Sequence, residues 1–94
     1  MEKQKLPKWY YDLELDYDSY KSSEVVKNYH THKKCTLTPE ELAMYDLING
    51  MQMMAESVGF FSPQAQEPNN IKNKGLQWFR ETNPEAYEIL FPNL

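Results

Sequence analysis

The sequence predicts a mainly α-helical fold: three to four short helices around a central capped helix over about 39–57, with an extended or β-like N-terminal arm over about 9–17. Three observations predict it. Thr38-Pro39-Glu40-Glu41 is a complete helix start, with a capping hydroxyl, proline at the first helical position and glutamate at N3 to reach back to the cap amide. Behind it Met44, Leu47, Ile48, Met51, Met54, Ala55 and Val58 recur at helical spacing, the stripe of an amphipathic helix. Upstream, Trp9, Tyr11, Leu13, Leu15 and Tyr17 alternate with Tyr10, Asp12, Glu14 and Asp16, a period of two in β-favouring residues.

Each element follows in order. Residues 1–8 are basic and polar and read as a frayed end. The arm over 9–18 lacks a matching second strand, so it is expected to pack sideways on helices or to pair with another chain. Ser22 or Ser23 is placed to cap a short helix carrying Val25, Val26 and Tyr29, followed by a basic connector over 30–35. In the central helix, Asn49-Gly50 is also a hairpin signal, but the explicit cap and the Leu, Met, Ala and Glu content favour helix, with a kink or close helix contact at Gly50. Gly59 suits the helix end, and Ser62 to Pro68 is a proline-punctuated loop. A third helix is expected from Asn69 to Thr82, with Ile71, Gly75, Trp78, Phe79 and Thr82 on one face. Asn83-Pro84-Glu85 repeats the cap-plus-proline logic and starts a last helix that Pro92 stops. Residues 22–94 thus form the helical core of a single small domain spanning 1–94.

Composition narrows the function classes. The formal net charge of -4 and the presence of one arginine, Arg80, disfavour a nucleic-acid partner or an anionic membrane. No apolar run approaches the ~20 residues of a bilayer span, and the first residues lack a signal-peptide core. With Cys35 as the lone cysteine, a cytoplasmic, reducing location is expected.

Candidate chemistry is sparse. His30, His32 and Cys35 are zinc-ligand types, but a closed structural site takes four ligands and the chain has no other cysteine or histidine; no metal and no cofactor are expected. No acid/base pair, nucleophile triad or phosphate loop appears, so the chain reads as non-enzymatic. Lys72, Lys74 and Arg80 beside Trp78 and Phe79 suggest a basic-aromatic patch whose charge is cancelled by Glu67, Glu81, Glu85 and Glu88. Asp12, Glu14, Asp16 and Asp18 carry as much charge as the whole chain's net -4. Together with Trp9 and Tyr11 they form the candidate partner-binding segment, suited to another protein with a basic surface. Met44, Leu47, Ile48, Met51, Met54 and Val58 are expected to be core or the seam of a homodimer. The reading is a small acidic protein-interaction module, a regulator or inhibitor docking on a larger assembly. The alternatives are an accessory subunit, for example of a phage or host complex, and a DNA-binding regulator.

Overall fold

The computed structural model describes residues 6–15 and 20–92. Among them the chain runs through α1 (Lys8–Asp12), β1 (Glu24–Lys27), β2 (Lys34–Leu37), α2 (Pro39–Val58), a 3-10 turn (Pro63–Ala65), α3 (Gln66–Thr82) and α4 (Pro84–Leu90). The expected mainly helical class holds.

Two of the expected elements are overturned, and of the end over 1–8 that reads as frayed, residues 1–5 lie outside the described residues while Leu6 is buried. The arm is helical over Lys8–Asp12 rather than extended. Leu6, Tyr10 and Leu13 also sit at helical spacing, and the structure buries Leu6 and Tyr10 while Trp9 and Leu13 pack against the core. Tyr11, which the alternating pattern would place beside Trp9 and Leu13, is 52% exposed. A helical turn pairs its backbone within the segment, so no partner strand is required, and its apolar face is left to pack on the core.

The second correction is at Val25-Val26, which form a strand rather than a capped helix. β1 pairs antiparallel with β2, Val26 opposite Cys35 and Lys27 opposite Lys34. Asn28 makes the turn: its Oδ1 accepts from the His30 and Thr31 amides, its backbone amide donates to Lys33, and its Nδ2 donates to the Ile89 carbonyl 2.7 Å away. That last bond pins the hairpin to α4. His32 takes the left-handed conformation, φ 65°, to close the loop.

α2 begins at its expected cap. The Glu41 amide donates to Thr38 Oγ1 at 3.2 Å, and the Thr38 amide donates to Glu41 Oε1 at 2.9 Å. Met44, Leu47, Ile48 and Ala55 are buried, and so are Leu42 and Ala43, so the buried surface is wider than one stripe. The stripe does not stay buried to its end: Met54 is 49% and Val58 42% exposed, and Met51 is half-buried.

α3 starts three residues earlier than expected, with Pro68 buried in its first turn, where a missing amide costs nothing. Contacts of Gly75 with Ile48, Lys72 with Gln52 and Asn69 with Phe60 show that α2 and α3 run antiparallel. Their close approach is at Gly75: a Cβ there would lie 2.8 Å from Ile48 Cγ1 and 3.1 Å from Met44 Sδ. At Gly50, where a close contact was expected, an added Cβ would meet nothing within 4 Å. Gly50 nonetheless costs α2 about 1 kcal/mol relative to alanine.

α4 is capped by Asn83, whose Oδ1 accepts from the Ala86 amide. Phe91 follows it and closes the core edge-on against Phe79 (5.6 Å between ring centroids) and beside Tyr45 (5.7 Å).

Candidate interaction surface

α1 anchors the candidate segment through Tyr10, which is 2% exposed. That anchor turns Tyr11, Asp12, Glu14 and Leu15 outward. Trp9 is half-buried, with Pro7 and Trp78 beside a shallow groove. The carboxylates do not form a one-faced ladder: Asp12 ends the helix and Glu14 takes a left-handed conformation, φ 58°. Asp16 and Asp18 lie outside the described residues.

Between α1, Tyr20 and the middle of α2 lies a groove of ≈ 400 Å³. Tyr10, Leu15, Leu47, Gly50 and Met51 line it, and Asp46 with Tyr20 supplies its polar side. The Tyr20 hydroxyl donates to Asp46 Oδ2 at 2.6 Å. The sequence pattern marks Gly50 but not Tyr20 or Asp46, because the groove joins the N-terminal segment to α2, with Tyr20 and Asp46 26 residues apart. The available signal was Gly50 itself, a glycine inside a helix.

At the other end of α2, Met51, Met54, Glu67, Pro68 and Ile71 border a second groove of ≈ 360 Å³. Met53 on α2 is 68% exposed, and Phe61, just past its end, is fully exposed.

His30 and His32 sit exposed in the hairpin turn, whereas Cys35 is half-buried on β2. Among the described residues no group of three or more His, Cys, Asp or Glu is arranged to hold a metal ion. The Cys35 thiol is pushed above its ordinary range, first by burial, then by the charges of Glu41 and Glu85. That shift suppresses the thiolate, the opposite of nucleophile activation. Comparison with protein-family models, curated proteins and solved structures finds no match.

The basic-aromatic residues of α3 are partly engaged within the protein. Lys72 Nζ donates to Gln52 Oε1 at 3.1 Å and stands 5.1 Å over the Phe60 ring. No helix among the described residues is long and apolar enough to cross a membrane.

The polar centre of the molecule is Glu41, 3% exposed. Its Oε1 caps α2, and its Oε2 accepts from Asn83 Nδ2 at 2.9 Å. One carboxylate thus joins the starts of α2 and α4, a stabilising position near two helix N-termini.

Proposed function

We propose that this chain is a small, non-enzymatic protein-interaction module that docks on a basic surface of a larger protein assembly. The observation that carries the reading is the Tyr11–Leu15 segment: Tyr11 (52% exposed) and Asp12 at the end of α1, and Glu14 and Leu15 (44% exposed) just past it, are exposed beside Tyr10, which is held in the core. Exposed aromatic and aliphatic groups supply contact area, and the carboxylates speed encounter with a basic partner. Because Lys8–Asp12 is helical, this contact is made by side chains rather than by adding a strand to a sheet edge.

Reversing Asp12, Glu14 and Asp16 to lysine tests it. The variant is expected to keep its helical circular dichroism and to lose partner association at low ionic strength, mainly through slower association. Unchanged association at low salt refutes the reading. A second reading, an accessory subunit held at more than one surface, is favoured by Met53, Met54, Val58 and Phe61 standing exposed at the far end of α2. Co-purification only with an intact particle, unaffected by the charge reversal, would support it instead.

A further inference from the structure

We infer that the groove over Gly50 receives a long basic side chain, lysine or arginine, from the partner protein. The inference rests on the protein-contact reading above and specifies what the contact recognises. Glycine is the least favourable helix residue after proline, yet Gly50 sits in the interior of the 20-residue α2. No turn, positive φ or helix crossing calls for it, since an added Cβ would meet nothing within 4 Å. What its missing side chain leaves is the floor of the ≈ 400 Å³ groove.

The groove's chemistry selects its occupant. Leu15, Leu47 and Met51 offer apolar wall to an aliphatic stem. Among the described residues Asp46 is the one formally charged side chain in the lining, which also includes Tyr10 and Tyr20. An ammonium or guanidinium head would meet the Asp46 carboxylate, which the Tyr20 hydroxyl already holds in place. Glu14, exposed and adjacent in sequence to Leu15, adds a second negative charge to the segment that borders the groove.

The test is a titration of the isotopically labelled full chain with octalysine, followed by amide chemical shifts at low ionic strength, with a neutral glycine-serine octapeptide as control. Saturating shifts at Leu47, Gly50, Met51 and Tyr20 are expected with octalysine and absent with the control. Gly50→Leu fills the groove and is expected to weaken octalysine binding about tenfold or more, while its melting temperature stays at or above that of the parent chain. Asp46→Asn, which keeps an acceptor for the Tyr20 hydroxyl, is expected to weaken binding as well and serves if Gly50→Leu does not fold. Equal shifts with the neutral peptide, or binding unchanged by Asp46→Asn and a folded Gly50→Leu, overturn the inference. So do shifts that appear with rising protein concentration alone, which would make a second copy the occupant. Shifts confined to Tyr11–Glu14 also overturn it, yet leave the contact reading standing. That reading fails separately, if charge reversal of the arm leaves partner association intact.

Discussion

Gly50 and Gly75 are both helical, and the structure assigns them opposite sensitivities. Gly75→Ala would drive a methyl to 2.8 Å from Ile48 Cγ1 and 3.1 Å from Met44 Sδ, against a side chain fixed in the core. The clash is expected to outweigh the gain in helix propensity and to destabilise the fold by about 1–3 kcal/mol. Gly50→Ala meets no neighbour and is expected to stabilise it by about 0.5–1 kcal/mol. Urea denaturation of the two variants checks the signs; a shift in the same direction for both would refute the packing assigned here. Cys35 yields a second prediction at this scale. With its thiol raised by burial and by Glu41 and Glu85, alkylation by iodoacetamide near neutral pH is expected to be slower in the folded chain than in the urea-unfolded one. Glu85→Gln, on an exposed residue, is expected to speed it modestly. The raised value means that the folded state holds the thiol proton more tightly. Its contribution to stability is therefore complete below the unfolded thiol's pKa and lost as pH rises through the folded one. Equal alkylation rates in folded and unfolded chains would remove this account.

Among the elements, the helix starts were legible because capping is local chemistry. Thr38, Pro39 and Glu41 lie within four residues, and so do Asn83, Pro84 and Ala86; their spacing is enough to place two starts. What the local pattern did not show is that Glu41 serves both helices. Thr38→Ala is expected to cost about 0.5–2 kcal/mol, an ordinary cap. Asn83→Ala removes a cap and also leaves Glu41 Oε2 without its 2.9 Å donor in a buried position, so its cost is expected at about 2–4 kcal/mol. Thermal or urea melts of the two variants check the order; a smaller cost for Asn83→Ala would mean that the carboxylate finds another donor. The strands were missed for a matching reason. Glu24–Lys27 and Lys34–Leu37 are four residues each, too short for a period to declare itself. Their pairing depends on the Asn28 turn and on its bond to the Ile89 carbonyl 61 residues away. The α1 segment satisfied two periods at once, and contact with the core selected the helical one.

For the whole molecule, the buried aromatic and aliphatic cluster leaves the far end of α2 uncovered. Phe61 is fully exposed, so Phe61→Ser is expected to change stability by less than about 0.5 kcal/mol while weakening any association through that end. Melting curves with light scattering check both parts, and a large loss of stability would show that Phe61 packs within the fold. The sequence by itself determined the helical class, the starts of α2 and α4, the helical face of α3 through Gly75 and Phe79, and the acidic, arginine-poor character of the chain. Each of these rests on neighbours within a few turns or on composition. Tertiary structure alone decided that α1 is a helix, that Val25-Val26 pairs with Cys35-Thr36, that Gly75 rather than Gly50 is the crossing point, and that Met54 and Val58 lie open. Those outcomes depend on which surfaces meet, and burial across segments far apart in sequence overrides a local preference worth only about 1 kcal/mol.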